Sequence, residues 1–239
     1  MIRKKVLRNQ KLTVRATEMF RIEALSDAVL AFTVSLLIMS LEVPGTFEEL
    51  QGTIRQFLPF LATVSLVFFF WYQQNNYFRQ YGLNDTRVIV LNLGLLILIL
   101  FYVFPLKFLF MLLFSWFTGI NYFEHAVAHG ETVLLEKDFP RLILFFSIGY
   151  TFIWWIFYQL YQYAWKRKSG LHLSAEETIL LRSAKRDAAV QVLIGCTGAA
   201  TALFNWPLVS GYVFLMIPVW LGINYFLTNK QLNQPDYRK

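Results

Sequence analysis

The sequence predicts an all-α, polytopic membrane protein with six transmembrane helices. Of its 239 residues, 56% are hydrophobic and only 15% are charged, whereas about a quarter of the residues of an average soluble domain are charged. The apolar residues are also grouped into six runs, each long enough to cross the roughly 30 Å hydrocarbon core of a bilayer. The single cysteine, Cys196, excludes an internal disulfide and a cysteine-cluster metal site.

The first predicted span, residues 20–41, follows a basic arm. Residues 1–19 contain six lysines and arginines but only one acid, which predicts a cytoplasmic arm attracted to anionic lipid. The span is apolar from Ala28 to Leu41 except for hydroxyl groups, and its first third carries Arg21 and two acids. Charges at the entrance of a membrane helix are costly without partners, so they indicate either a functional site or an interfacial cap.

The second and third spans are joined by a short polar turn. The second, residues 56–77, ends in a polar run that contains Gln74 and Asn75. A turn with a glycine leads to the third span, residues 87–105, which contains one polar residue, Asn92.

Residues 106–139 do not fit a further span. Residues 106–117 are apolar but too short for another crossing directly after Pro105, so we predict an interfacial or re-entrant helix there. The polar stretch that follows contains His125 and His129, whose spacing would place both on one helix face and allow a metal site. A third strong ligand is missing, so a solvated loop is the favoured interpretation and no structural metal is predicted.

Three further spans complete the chain. The fourth, residues 142–163, is aromatic throughout and is followed by three consecutive cations. Ser174 and Glu177 then match a capping box, which predicts the start of a helix. The fifth span, residues 188–204, is rich in small residues, which let helices approach closely in lipid. A tight turn leads to the sixth span, residues 208–227.

The basic residues predict the orientation. The N-terminal arm with Arg21, the second-to-third loop, the fourth-to-fifth loop and the C-terminal tail hold 18 of the 22 Lys and Arg residues. Because cytoplasmic loops are enriched in Lys and Arg, both termini are predicted to be cytoplasmic. The chain then divides into the arm, residues 1–19, a six-helix membrane domain, residues 20–228, and a cytoplasmic tail, residues 229–239. The net charge of +7 comes from the basic residues in these predicted cytoplasmic segments, so it is explained by membrane orientation and no nucleic-acid partner is predicted.

Polar groups of three spans are expected at one level near the cytoplasm. Glu23 and Asp27 share a helix face and repel each other, so partners on neighbouring spans would stabilise them. The candidates at that level are Trp71, Gln74, Asn75 and Asn92. The alternative is a belt of interfacial side chains that reach the headgroups independently.

The first span also presents two distinct faces. Hydroxyl residues recur every seven positions on one side, at Ser26, Thr33 and Ser40. A mixed stripe lies nearly opposite, at Ala28, Phe32, Ser35 and Met39. Hydroxyl groups line aqueous paths but also form helix–helix hydrogen bonds, so either face could be the packed one. The pattern alone favours the hydroxyl face as a pore lining.

Patterns typical of enzymes do not occur. The sequence has no nucleophile–base constellation, no glycine-rich phosphate loop and no H-E-x-x-H motif. An enzymatic function is therefore not predicted.

One motif resembles a known family. Arg21-x-x-x-Leu25-Ser26-Asp27 is similar to the R-x-x-x-F-S-D signature of the transmembrane protein 175 (TMEM175) potassium channels. Trp71 with Phe78, and the stretch from Leu91 to Pro105, resemble that family's second and third helices. The chain departs from the family at Leu25, where the signature has phenylalanine, and at Gln74 and Asn75, where histidines are frequent.

The resemblance implies a potassium-selective channel, with K⁺ as the permeant ion and no cofactor. It implies a homotetramer in the lipid bilayer of a plasma membrane, whose pore is lined by the first helix of each subunit. The pore then belongs to the mixed stripe, with Phe32 and Met39 as apolar rings and Ser35 as the hydroxyl ring linked to selectivity. The hydroxyl face is reassigned to helix packing.

The same resemblance assigns a bracing role to the motif residues. Arg21, Ser26 and Asp27 would hold the first helix against the second and third, with Trp71, Gln74, Asn75 and Asn92 as support. Two alternatives stay open. A secondary transporter or proton-coupled cation carrier would need ionisable groups near the midplane. A membrane anchor would conduct nothing.

Overall fold

The computed structural model describes residues 20–41, 43–123 and 138–233. Every regular element within these ranges is a helix, which confirms the predicted all-α class. In chain order the helices are α1 (Arg21–Met39), α2 (Phe47–Arg55), α3 (Phe57–Tyr81), α4 (Thr86–Thr118), α5 (Phe139–Lys166), α6 (Ala175–Leu203), α7 (Pro207–Phe214) and α8 (Met216–Leu232).

The predicted count of six spans is approximately supported. Within the described ranges, five segments are long and apolar enough to cross a membrane: α1, α3, α4, α5 and Val209–Leu232, which includes most of α7 and all of α8. The predicted fifth span forms the second half of α6, whose first half is rich in charged residues. Helix α6 begins with the expected capping box, since Ser174 Oγ accepts a bond from the Glu177 amide at 3.2 Å and Glu177 Oε2 accepts one from the Ser174 amide at 2.8 Å.

The predicted interfacial helix at residues 106–117 is wrong. Helix α4 continues through Pro105 and is 33 residues long. A proline inside a helix removes one backbone hydrogen bond and costs about 3 kcal/mol or more. Packing after the proline outweighs this cost. Leu106 and Lys107 are buried, and Lys107 Nζ donates a hydrogen bond at 3.0 Å to the hydroxyl of Ser40, the residue that directly follows α1.

One loop and two spans also differ from prediction. The segment after the first span contains α2, whose start is capped by Thr46 Oγ1 accepting a bond from the Glu49 amide at 3.2 Å. The predicted sixth span is divided at Leu215 into α7 and α8. Helix α3 extends past its predicted end to Tyr81, where Gly82 adopts a left-handed backbone with φ of 59°.

The helices pack in an order that separates α1 from the C-terminal helices. Helix α1 packs on α3 and α4, α4 packs on α5, α5 packs on α6, and α6 packs on α7 and α8. The core lies between α3, α4 and α5, where Tyr77, Leu95 and Phe157 are fully buried. Helix α1 therefore lies at one edge of the subunit and α8 at the other.

Candidate functional site

A buried hydrogen-bonded cluster joins α1, α3 and α4 through Ser26, Gln74 and Asn92, here termed the three-helix cluster. Each of the three side chains is at most 2% exposed. The Ser26 hydroxyl donates to the Ile22 carbonyl at 2.7 Å. It accepts bonds from Gln74 Nε2 and Asn92 Nδ2, both at 2.9 Å. Gln74 Nε2 also donates to Asn92 Oδ1.

The three-helix cluster sets the rotation of α1 about its own axis. A serine hydroxyl has one donor and two acceptor positions, and all three are occupied here. Thr33, seven residues later on the same face, is fully buried and donates to the Val29 carbonyl at 2.8 Å. The hydroxyl face of α1 is thus held against α3 and α4.

A second contact between α1 and α3 lies next to the cluster. Trp71 Nε1 donates to Asp27 Oδ1 at 2.7 Å. Glu23, whose repulsion with Asp27 the sequence predicts, instead accepts a bond from the Phe20 amide at 3.3 Å and caps the start of α1. The two carboxylates therefore have separate partners.

Two of the predicted motif residues do not join these contacts. The Arg21 side chain is exposed and Asn75 is half-buried. Among the described residues, neither side chain has a hydrogen-bond partner. The structure thus brings together Ser26, Asp27, Trp71, Gln74 and Asn92, but not the other two.

The far end of α1 is also attached to α4. The Ser40 hydroxyl donates to the Leu37 carbonyl at 2.7 Å and accepts from Lys107 Nζ at 3.0 Å. Sequence reasoning missed this contact because it ended the third span at Pro105. The signal that pointed to it was a single lysine inside an apolar run, together with the seven-residue recurrence of hydroxyls.

Within the part of the chain that the structure describes, the opposite face of α1 is exposed. Phe32 is 55% exposed and Met39 is 77% exposed, and Ala28 and Ser35 on the same stripe are exposed too. The Ser35 hydroxyl donates to the Ala31 carbonyl at 3.0 Å, which leaves its oxygen lone pairs available on the outer face. One stripe of α1 therefore presents two large apolar side chains with an acceptor oxygen between them.

The part of the chain that the structure describes contains no group of three His, Cys, Asp or Glu residues arranged to hold a metal ion. His125 and His129 lie outside the described residues.

Comparison with known proteins identifies relatives of this arrangement. Residues 21–105, which contain the three-helix cluster and the exposed stripe of α1, match the profile of the family described as endosomal/lysosomal potassium channel TMEM175. A potassium channel of Marivirga tractuosa is 31% identical over 233 residues, covering 93% of each chain. The crystal structure of a variant of the potassium channel MtTMEM175, in complex with a nanobody–MBP fusion protein, superimposes with a TM-score of 0.79 at 30% identity, over 92% of this chain and 98% of that one.

Proposed function

Because the chain belongs to the TMEM175 family of potassium channels, we propose that it conducts potassium ions passively through a homotetrameric pore lined by α1 of each subunit. Its relatives are channels rather than catalysts, so family membership confirms that the chain is not an enzyme. The permeant ion is K⁺, and the channel needs no bound cofactor.

The rotation of α1 is the observation that carries the proposal. The three-helix cluster and Thr33 hold one face inside the subunit, so the stripe with Phe32, Ser35 and Met39 is left for contacts outside it. Four copies around an axis would turn this stripe into rings. The rings of Phe32 and Met39 would lie about 10 Å apart, with the Ser35 ring between them, at ~1.5 Å of helix rise per residue.

Rings of this composition suit cation conduction. Apolar constrictions gate by dewetting, and oxygen ligands replace part of the hydration shell of a permeating ion. Phe32 and Met39 are the proposed constrictions, and Ser35 is the proposed hydroxyl ring next to them. Asp27 lies at the start of α1 with its carboxylate bonded to Trp71, so it acts as a brace for the helix rather than as an ion ligand.

The proposed orientation places both termini in the cytoplasm and the channel in a plasma membrane. The basic residues near Arg21, after α5 and in the first half of α6 are the support for this orientation. One contact supports it further: Arg167, just after α5, pairs with Asp85 at the start of α4 at 2.8 Å, so the end of α5 lies beside the turn between α3 and α4.

Reversal potentials of the purified protein in liposomes test the proposal. With a potassium gradient, the membrane potential should follow the potassium equilibrium potential, and an equal sodium gradient should drive a much smaller potential. Flux should rise with concentration without coupling to a proton gradient. A protein that carries no ion current, or that moves cations only with protons, would contradict the proposal.

The position of the ionisable groups favours a channel over a carrier. A proton-coupled carrier needs such groups near the midplane. Within the described part of α1, the acidic residues Glu23 and Asp27 are confined to the first two turns. Lys107 contacts Ser40 at the opposite end. The middle of the proposed pore therefore has apolar and hydroxyl side chains only.

A further inference from the structure

We propose that a cationic cleft between α5 and α6 binds the phosphate of an anionic membrane lipid. The cleft has a volume of about 300 Å³ and is lined by Tyr158, Trp165, Arg182, Lys185, Arg186 and Ala189. It belongs to neither the three-helix cluster nor the exposed stripe of α1. Lipid binding here does not depend on ion conduction, so it is measured separately from the proposed channel function.

The cleft concentrates positive charge around one aromatic ring. The Arg182 guanidinium lies 5.4 Å and the Lys185 ammonium 5.5 Å from the centre of the Trp165 ring. Lys168 approaches the same ring at 4.5 Å. Three cations within about 6 Å of one ring repel each other, and an anion bound between them would relieve that repulsion.

Arg182 and Lys185 are the two side chains of the cleft proposed to bind such an anion. In the described ranges, neither forms an ion pair with a carboxylate. The nearest acids along α6 have other partners: Glu177 caps the helix start with Ser174, and Asp187 accepts a bond from Trp220 Nε1 at 3.0 Å.

Arg186 has a different role from its two neighbours. Its guanidinium donates from both Nε and Nη2 to Asn224 Oδ1 on α8. This contact holds the Arg186 side chain against α8, where its guanidinium adds positive charge to the cleft. The phosphate ligands are therefore Arg182 and Lys185.

The surface below the cleft indicates a lipid rather than a free phosphate ion. Leu193 follows Ala189 by one helical turn on α6 and is 62% exposed, and Trp155 precedes Tyr158 by one turn on α5 and is 44% exposed. Residues three or four apart share a helix face, so an apolar path continues from the cationic cleft along both helices. A headgroup in the cleft would leave its acyl chain against this path.

The cleft lies near the membrane surface, at the level expected for a lipid headgroup. At the end of α5, Tyr163 donates to Asp85 Oδ2 at 2.5 Å, and Arg167 pairs with the same carboxylate. This places the end of α5 beside the turn between α3 and α4, where both helices leave the apolar region. Basic pockets between transmembrane helices on the cytoplasmic side are known sites for anionic headgroups.

The packing order keeps the cleft accessible to lipid in the proposed tetramer. Helix α1 packs on α3 and α4, and α5 and α6 follow on the far side of α4. With α1 on the central axis of the proposed tetramer, α5 and α6 lie beyond α4, away from that axis and toward the surrounding lipid.

Native mass spectrometry of the full-length channel in detergent tests this site. The probes are phosphatidylglycerol, phosphatidylcholine with the same acyl chains, and inorganic phosphate. The wild-type protein should bind phosphatidylglycerol more tightly than the other two. Replacing both ligands, Arg182→Gln with Lys185→Gln, should weaken phosphatidylglycerol binding about tenfold or more, because each cation near the headgroup contributes to the attraction.

A matched variant controls for the loss of two charges. Arg79→Gln with Lys230→Gln removes two exposed cations that do not line the cleft, and phosphatidylglycerol binding should then stay within about twofold of wild type. Equal weakening in both double variants would show non-specific attraction and overturn the proposal, as would wild-type binding in the Arg182/Lys185 variant. Tight binding of inorganic phosphate alone would overturn the lipid assignment. If the double variant does not elute like wild type, Lys185→Gln and Lys185→Arg are compared, and only the first should bind less lipid.

Discussion

The Ser26 hydroxyl has no unused hydrogen-bonding position, since it binds a carbonyl of its own helix and amides from two others. Because all three members of the cluster are buried, the loss of one leaves the others without their full set of partners. A buried polar group without its partner costs roughly 1–3 kcal/mol. Between membrane helices the measured values are at the lower end of that range.

Asn92→Leu tests the three-helix cluster. This change removes a donor to Ser26 and an acceptor for Gln74, and we expect it to lower the free energy of unfolding by about 1–2 kcal/mol. Asn75→Leu is the control, since Asn75 is half-buried and has no hydrogen-bond partner within the described part of the chain. Denaturant unfolding in detergent measures both, and equal effects would contradict the role of Asn92.

Asp27→Ala should weaken assembly more than it changes ion selectivity. The carboxylate accepts the Trp71 indole N–H at 2.7 Å, and hydrogen bonds to a charged group contribute about 1.5–3 kcal/mol when shielded from water. Asp27 is exposed within the subunit, so about 1 kcal/mol is expected here. Asp27→Asn retains an acceptor oxygen and should retain most of the stability.

A double-mutant cycle with Trp71→Phe separates this bond from general damage. If this hydrogen bond causes the effect, the double variant should lose less stability than the sum of the losses in Asp27→Ala and Trp71→Phe. Heat-induced dissociation followed by size-exclusion chromatography measures assembly, and reversal potentials measure selectivity. An assembled Asp27→Ala channel with altered ion preference would assign Asp27 to the ion pathway instead.

Depth along a span was predictable at the residue level, but side-chain pairing was not. The position of Ser26, Gln74 and Asn92 along their helices follows from span ends and orientation, so the sequence placed them at one level. Which of them touch depends on the rotation of each helix, which a short polar motif does not determine. Arg21 and Asn75 lie at the same level as the cluster and yet remain outside it.

Helices α5 and α6 approach closely where α6 lacks side chains. A Cβ atom added at Gly195 would lie 2.2 Å from Thr151 Oγ1 and 3.2 Å from Thr151 Cα. One added at Gly198 would lie 3.0 Å from both Ser147 Oγ and Phe214. The small residues predicted for the fifth span thus form the surface on which α5 packs.

Gly195→Ala should therefore destabilise the subunit despite the higher helix propensity of alanine. Alanine gains about 1 kcal/mol of helix propensity, but overpacking against the Thr151 backbone costs about 1–3 kcal/mol. Gly222→Ala is the matched control, because a Cβ atom there has no heavy atom within 4 Å. Thermal unfolding should show a lower midpoint for the first variant and an unchanged or higher one for the second.

The rotation of α1 leads to a prediction for ion flux. If Phe32 forms a constriction, Phe32→Ala widens and wets it, and potassium flux should rise about tenfold, which corresponds to a barrier lowered by ~1.4 kcal/mol. Phe68→Ala on α3 is the control, since Phe68 has the same exposed fraction of 55%. Unchanged flux in the Phe32 variant would remove this residue from the constriction.

At the scale of whole helices, the length of hydrophobic runs predicts most of the elements. It does not predict that α4 continues past Pro105, or that the polar segment after the first span forms the short helix α2. The sequence predicts a helix end at Pro105 because the cost of an interior proline is visible in a sequence, whereas the compensating contact of Lys107 with Ser40 is not. The short helix α2 was missed because its capping residue, Thr46, follows a Pro-Gly turn that favours a loop interpretation. The capping box at Ser174 is predicted correctly because its two hydrogen bonds join residues only three positions apart in the sequence.

The subunit as a whole has an asymmetric surface. Its α1 edge presents a stripe that is mixed apolar and hydroxyl, and its α8 edge belongs to a segment of which only 6% is buried within the chain. Both edges are apolar, so hydropathy alone does not separate a pore face from a lipid face. The assignment of α1 to the axis rests on the family relationship and on the cluster that sets its rotation.

A cysteine at position 35 tests the axis and the number of subunits together. Cys196 is exposed and is the single cysteine of the chain, so Cys196→Ser gives a background without thiols. In that background, Ser35→Cys should let a cationic methanethiosulfonate reagent block potassium flux. Thr33→Cys on the same helix should resist the reagent, because Thr33 is fully buried.

Mixing subunits then counts how many surround the pore. When one adduct closes the pore and half of the subunits carry Ser35→Cys, the unblocked fraction should be about one-sixteenth for a four-fold symmetric channel and about one-quarter for a dimer. A central pore in a tetramer requires that the residual flux follow the fourth power of the unmodified fraction, because each of the four subunits contributes one side chain to each ring. If the reagent reaches Ser35→Cys without reducing flux, the stripe faces lipid and the pore lies elsewhere in the subunit.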